Sequence, residues 1–369
     1  MAKVRFGDIV RDVKINVDRD NNPYENYIAG DHMDSEDLTI HRYGSFATDD
    51  VGPAFTRIFK PGQILYGSRR TYLKKVAVAE FEGICANTTF VFESKDEAVL
   101  DNRLLPFIML SDAFTRWSIA HSKGSTNPYV LFSDLADYEF ELPTIAEQKV
   151  LADKLWAAYR LKESYKKLLE ATQEMVKSQF IEMRSHTTTT RKKVGEVSKV
   201  MTGSTPSRNH PKYWGGSNYW VAAQDMGGKY VTDTLEKVTD EGYATCKVVP
   251  AGSVLYVCRG SIGVISINTM DCATNQSICT ATCNDGYINE YLYYSLKFAE
   301  GDIKKQGTGT SFKSLNQSSF AAIELDFPSI DDQKAFVEIA RQADKSEFEL
   351  RKSIEAIDKV IKSLINENL

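Results

Sequence analysis

The 369 residues contain no run of 18 or more apolar side chains, which excludes a membrane-spanning helix, so no membrane contact is expected. Met1-Ala2-Lys3-Val4-Arg5-Phe6 also lacks the apolar stretch of a secretory signal, and the expected location is the cytoplasm. Cysteine is sparse and unpatterned. Cys85, Cys246, Cys258, Cys272, Cys279 and Cys283 form no C-x-x-C pair, so they read as reduced core thiols rather than a disulfide framework. Cys279 and Cys283 lie four apart, but with the 5 histidines scattered elsewhere no metal site is expected. A positive excess is missing too: 45 Lys+Arg against 50 Asp+Glu give a net charge of -5, without the basic footprint of many nucleic-acid binders. Any nucleic-acid contact must rest on local patches.

Catalytic signatures are absent as well. There is no G-x-x-x-x-G-K-[ST] phosphate loop, no G-x-S-x-G elbow and no H-E-x-x-H pair, and Gly307 and Gly309 lack a strand-to-helix setting. Asn127-Pro128-Tyr129 resembles the motif with which amino-methyltransferases orient a target amine, but one proline is missing and no glycine-rich cofactor loop precedes it. A turn-forming Asn-Pro is the better reading. The chain is therefore expected to be no enzyme.

What the sequence does contain is a repeat. Phe6-Gly7-Asp8-Ile9 returns as Val194-Gly195-Glu196-Val197, and Pro61-Gly62-Gln63-Ile64-Leu65-Tyr66 with Arg69 returns as Ala251-Gly252-Ser253-Val254-Leu255-Tyr256 with Arg259. Phe140-Glu141-Leu142-Pro143-Thr144-Ile145-Ala146-Glu147-Gln148-Lys149 returns as Leu325-Asp326-Phe327-Pro328-Ser329-Ile330-Asp331-Asp332-Gln333-Lys334. Three collinear matches at an offset of about 190 residues make the chain a tandem duplication. Its length suits two domains at roughly 150 residues each.

Each half ends in a long periodic segment free of Pro and Gly, beginning just after a proline. In the second, Phe336, Ala340, Ala343, Glu347, Leu350, Ile354, Ile357, Ile361 and Leu364 alternate steps of four and three, a heptad seam that only Glu347 interrupts. The first copy carries Leu151, Leu155, Ala158, Lys162, Tyr165, Leu169, Thr172, Val176 and Phe180, and its polar breaks suggest a particular partner face. Each helix would have about 40 residues and span on the order of 60 Å at 1.5 Å per residue. Such helices are unstable alone, and an antiparallel coiled coil of the two is the simplest solution.

The predicted organisation is α+β: two similar domains joined and separated by two long helices. Residues 1–143 form the first domain, 144–185 the first helix, 186–328 the second domain and 329–369 the second helix. Strands are expected at residues 64–66, 88–92, 254–257 and 264–267, and shorter helices at 104–120 and 288–298.

Basic and polar loops are the remaining chemistry. Tyr66-Gly67-Ser68-Arg69-Arg70-Thr71-Tyr72-Leu73-Lys74-Lys75 interleaves cations with aromatics, which suits phosphate contacts and a bidentate arginine on a guanine edge. Val257-Cys258-Arg259-Gly260-Ser261-Ile262-Gly263, at the repeated position, keeps one arginine, and the divergence suggests two readings of one surface. Gln306-Gly307-Thr308-Gly309-Thr310-Ser311-Phe312-Lys313 parallels His121-Ser122-Lys123-Gly124-Ser125-Thr126-Asn127. Trp214 and Trp220, like Tyr66 and Tyr256, are read as core.

At this point the chain resembles the specificity subunits of type I restriction-modification systems, over its whole length. Thr202-Gly203-Ser204-Thr205-Pro206-Ser207, continuing through Tyr213-Trp214-Gly215-Gly216 to Tyr219-Trp220-Val221 and Asp225-Met226, is similar to that family's opening of a target-recognition domain. Pro143-Thr144-Ile145-Ala146-Glu147-Gln148 is similar to the start of its spacer helix; the second copy has Asp332 where glutamate is usual, and the first half has Asp18-Arg19-Asp20-Asn21-Asn22-Pro23-Tyr24 in place of Thr-Gly-x-Thr-Pro.

The resemblance implies a host-defence role as the DNA-reading subunit, each domain taking one half of a bipartite, asymmetric target and the helix pair acting as a ruler. It implies double-stranded DNA, two modification subunits and restriction subunits as partners. Adenine methylation with S-adenosylmethionine and ATP- and Mg-dependent translocation and cleavage would belong to those partners, with no cofactor on this chain. The residues expected at DNA are Arg69, Arg70, Tyr72, Lys74, Ser125, Thr126 and Asn127 in the first domain, and Arg208, Lys212, Arg259, Thr308, Ser311 and Lys313 in the second. The alternative is a duplicated coiled-coil scaffold or adaptor that binds proteins and no DNA.

Overall fold

The computed structural model describes residues 2–18, 21–305 and 315–369. The chain forms two compact units: residues 1–167 with 350–369, and residues 168–349. Each is a mixed α and β body ending on long helix. Among the described residues no helix is long and apolar enough to cross a membrane.

The first unit carries two four-stranded sheets. One runs in the order Val10–Asp12, Thr89–Ser94, Ile64–Gly67, Val76–Val78, all antiparallel. The other runs Gly44–Ser45, Asn26–Ile28, Gly83–Ala86, Phe55–Phe59, with Asn26–Ile28 parallel to Gly83–Ala86. The second unit repeats this plan. Its larger sheet is Ser198–Thr202, Ile278–Cys283, Val254–Val257, Ile265–Asn268 plus the short strand Tyr230–Val231, and its smaller one again holds a parallel pair, Trp214–Val221 on Cys272–Thr274. Val254–Val257 lies where predicted. The run expected at 104–120 divides into Leu105–Leu110 and Asp112–Ala120, because Ser111 adopts extended backbone and caps the second helix by accepting from Phe114 N at 3.2 Å. The helix expected at 288–298 spans Asn289–Phe298.

The repeated residues turn out to be packing devices. Phe6–Ile9 and Val194–Val197 are single helical turns following strands Ala2–Arg5 and Thr190–Lys193. A β-carbon on Gly7 would fall 2.5 Å from that of Ala136, and one on Gly195 3.0 Å from that of Ala321, so the glycine lets this turn press on the neighbouring helix.

The long helices are Ile145–His186 and Ile330–Asn368. The first starts on a reciprocal cap, in which Thr144 Oγ1 accepts from Glu147 N at 3.4 Å while Glu147 Oε2 accepts from Thr144 N at 2.9 Å; in the second, Ser329 Oγ accepts from Asp332 N at 3.2 Å and donates to Asp332 Oδ2 at 2.7 Å. The shorter acid still caps. One turn inside, Gln148 and Gln333 are each 1% exposed. Gln148 Nε2 donates to the carbonyls of Pro143 and Val99, both at 2.9 Å, and its Oε1 accepts from Asp101 N at 2.9 Å. Gln333 donates to Pro328 O at 3.0 Å and accepts from Ile288 N at 3.1 Å. The glutamine pins the helix start to the preceding strand and to a loop of the same unit.

The two helix segments within each unit run antiparallel. In the first, Leu151, Leu155 and Tyr159 share a core with Ile361 and Ile365. In the second, Val176 and Phe180 share one with Phe336, Ala340 and Ala343. Polar breaks in the seam find partners on the facing helix: Lys162 Nζ lies 2.6 Å from Asp358, and Gln173 donates to Glu347 at 3.1 Å. All six cysteines are free, and Cys85, Cys258, Cys272 and Cys279 are buried.

Removing a pin strands its buried partners, at roughly 1–3 kcal/mol for each unsatisfied group. Gln148→Ala and Gln333→Ala are each expected to lower the thermal midpoint of the intact protein by about 4–8 °C. Calorimetry of the two variants checks this, and unchanged midpoints would contradict the assignment.

Candidate nucleic-acid interface

Two segments meet at the end of strand Ile64–Gly67. Ser68 fixes the first by donating from N at 3.0 Å and from Oγ at 2.6 Å to Thr88 O. The backbone of Arg69 bridges to Tyr129, Arg70 N donates to Pro128 O at 2.7 Å, and Val130 N donates to Ser68 O at 2.9 Å. Lys123 and Tyr129 exchange backbone hydrogen bonds at 2.7 and 2.9 Å. The structure therefore zips the Arg69-Arg70 loop to the segment holding Ser125, Thr126 and Asn127. Arg69, Arg70, Tyr72, Ser125 and Thr126 are exposed, and Asn127 is half-buried.

The loop is strained. Arg70 and Lys74 flank the short 3-10 turn Thr71–Leu73 with left-handed backbone, φ 50° and 48°. At the repeated position the second unit has Gly260 with φ 79°. A conformation that glycine adopts freely is held by arginine in the first unit, at about 1–2 kcal/mol. Tyr72, at the turn's centre, is 54% exposed.

Lys74 is placed differently from its neighbours. Its Nζ lies 2.9 Å from Asp112, 3.3 Å from Glu36 and 3.3 Å from Leu110 O, and its hydrogen bond holds the Asp112 carboxyl below the usual range. It braces the loop from behind. Tyr129, 41% exposed and bonded through its backbone to Arg69 and Lys123, joins the surface although loop chemistry alone passed it over. Its position after Asn-Pro was the available signal.

In the second unit Arg259 is exposed beside Gly260. Arg208 has its fork occupied: Nη1 and Nη2 donate to Glu236 Oε1 and Oε2 at 2.6 and 2.8 Å, and its guanidinium carbon sits 3.5 Å from the Trp214 ring centroid. Glu236 raises the Arg208 pKa and has its own lowered in return. In this arrangement the fork is not open to a base edge. Lys212 Nζ pairs with Glu241 at 2.8 Å. Thr308, Ser311 and Lys313 lie outside the described residues. Trp220 is 4% exposed and donates to Ser204 O at 3.1 Å, and Tyr66 and Tyr256 are buried, so all three are core.

The Thr-Gly-Ser-Thr-Pro motif proves architectural. A β-carbon on Gly203 would lie 2.1 Å from Thr274 Oγ1, 2.3 Å from Thr274 O and 2.4 Å from Asn275 O. Ser204 N donates to Thr274 O at 2.8 Å, tying the motif to the parallel pair. Carboxylates come together once more, at Asp37, His41 and Glu163, but Lys166 Nζ already lies 2.8 Å from Asp37 and 2.9 Å from Glu163. Burial opposes the Asp37 charge, and Lys166, the Tyr159 hydroxyl and Thr39 N overcome it, holding the carboxyl at about 2.

The sequence pattern of the Type I restriction modification DNA specificity domain matches residues 13–172 and again 188–358. The chain is 27% identical over 176 residues to the type I restriction enzyme MjaIX specificity subunit of Methanocaldococcus jannaschii, covering 46% of this chain and 41% of that one. It is 28% identical over 162 residues to the EcoR124I/EcoR124II specificity subunit of Escherichia coli, covering 42% and 40%. The chain thus spans about two-fifths of the length of these relatives. Among solved structures, the type I S subunit from M. genitalium superposes with a TM-score of 0.63 at 14% identity, over 100% of this chain and 96% of that one. A chain from a study of complex assembly and conformational transition of the type I R-M system gives 0.58 at 16%, over 100% and 98%. At these identities the likeness is one of fold.

Because the backbone around Gly203 leaves no room for a side chain, Gly203→Ala is expected to cost about 3 kcal/mol or more while the first unit keeps its stability. Hydrogen exchange resolved by unit checks this. Uniform loosening of both units, or none, would contradict it.

Proposed function

The chain belongs to the family of type I restriction-modification specificity subunits, and we propose that it reads a bipartite, asymmetric site on double-stranded DNA, one recognition unit per half-site. In this reading the chain is not catalytic. It directs two modification subunits that methylate adenine with S-adenosylmethionine, and restriction subunits that translocate and cleave with ATP and Mg, in the cytoplasm as host defence.

The observation that carries the reading is the repeated strand end. The same fold occurs twice, and the loop after Tyr66 offers Arg69, Arg70 and Tyr72 on a strained turn where the loop after Tyr256 offers Arg259 beside glycine. A shared frame with divergent exposed donors suits two different base sequences, phosphates being met by cations and base edges by arginine forks. Arg69, Arg70, Tyr72 and Tyr129, with Ser125, Thr126 and Asn127, are assigned to the first half-site, and Arg259 to the second. Thr308, Ser311 and Lys313 stay assigned to the second half-site on sequence alone. Lys74 braces its loop through Glu36 and Asp112, while Arg208 and Lys212, paired with Glu236 and Glu241 on an exposed segment, stay assigned to the second half-site. Large apolar side chains exposed on the long helices, among them Leu168, Met175 and Phe348 in the second unit, support docking of the modification subunits there.

Selection of duplexes from a random library by the chain with its modification partner is expected to return two conserved blocks around an unconserved gap. Arg69→Ala should relax one or two positions of one block, at about 1–3 kcal/mol each, and leave the other block intact. An even loss across all sequences would make Arg69 a phosphate contact, and an unsplit or absent consensus would overturn the reading.

A further inference from the structure

Each unit fastens one loop to its long helix at the same place, and the two fastenings carry opposite chemistry. The places correspond by backbone geometry. Val78 N donates to Leu38 O at 2.8 Å in the first unit, and Ile267 N donates to Lys229 O at 2.7 Å in the second. Val78 and Ile267 occupy the same register, opposite Ile64 and Val254. On the helices, Tyr159 and Asp344 each lie eleven residues beyond the pinned glutamines Gln148 and Gln333, and so share one position about three turns on.

In the first unit the loop supplies Asp37, and the helix supplies the donors Tyr159 and Lys166 together with a second acid, Glu163. Tyr159 Oη donates to Asp37 Oδ1 at 2.5 Å and accepts from Leu38 N at 2.9 Å, while Lys166 Nζ donates to Asp37 Oδ2 at 2.8 Å. In the second the helix supplies the acid. Asp344 Oδ2 accepts from Lys229 Nζ and, at 3.3 Å, from Tyr230 Oη, and its Oδ1 accepts from Tyr294 Oη at 3.3 Å. The rings of Tyr230, Tyr293 and Tyr294 stand 5.1, 5.6 and 4.6 Å from Lys229 Nζ. Phenol and carboxylate have changed sides.

We propose that these contacts are a latch: Asp37, Tyr159 and Lys166 in one unit, and Lys229, Tyr230 and Asp344 in the other, are positioning residues that hold each larger sheet, and with it the loop after Tyr66 or Tyr256, in a fixed place on its helix. The loop on the other side of the same support is the candidate reading surface: Glu36 N donates to Lys74 O at 3.1 Å, and Glu36 pairs with both Lys74 and Lys362. Movement of the latch therefore moves the turn that presents Tyr72. This inference rests on the DNA reading proposed above.

The test uses the full chain with its modification partner and measures discrimination between the selected duplex and duplexes altered by one base in either half. Tyr159→Phe keeps the shape of the side chain and removes its hydrogen bonds; Asp344→Asn and Lys229→Met do the same for the other latch. Tyr159→Phe is expected to lower discrimination about tenfold at one half-site and leave the other unchanged, with the Asp344 and Lys229 variants affecting the opposite half. Folded fraction, followed by circular dichroism, should remain that of the wild type. A wild type that selects no split target overturns the DNA reading and this latch with it. A wild type that selects one, while all three folded variants keep full discrimination in both halves or lose it equally in both, overturns the latch alone.

Discussion

The apolar seam along Ile145–His186 and Ile330–Asn368 is the contact on which the remaining structure depends, because a helix of this length with one apolar stripe holds its shape only against a partner. Within each unit the seam is buried together with the sheet-facing core, so that Leu155 and Ile365 in one, and Phe180 and Phe336 in the other, belong to the same clusters as the recognition fold. Helix pair and sheet are thereby one cooperative body in each unit. The capped helix start and the buried Gln148 and Gln333 fix where along the helix each sheet is anchored.

Much of this was legible in the sequence because the repeat preserved the residues with the least freedom. Gly7 and Gly195 allow a close approach, Gln148 and Gln333 satisfy buried carbonyls, and the four-three spacing marks the seam. The family-like Thr-Gly-Ser-Thr-Pro stretch was legible for the same reason. It records how the strands must pack.

The less legible features all involve a partner remote in sequence. Lys162 breaks the seam as a sequence, yet Asp358 meets it in space. Lys74 and Arg208 read as free cations until Asp112 and Glu236 are placed beside them. Ser111 divides a helix within a continuous apolar pattern, since a single capping serine outweighs periodicity over one turn. Tyr129 entered the candidate surface only through its backbone bridge to Arg69. What the pattern could supply was the frame and the basic loops, and what only the fold reveals is the pairing of some of those cations and the exposure of others.

If the chain reads DNA as proposed, it alone decides which sequence its complex modifies. Methylome sequencing of a host given the gene with a modification partner, beside a host given the partner alone, tests it most directly. A new split adenine motif is expected in the first host and none in the second. A competent complex that leaves no such motif, or the same motif in both hosts, would contradict it.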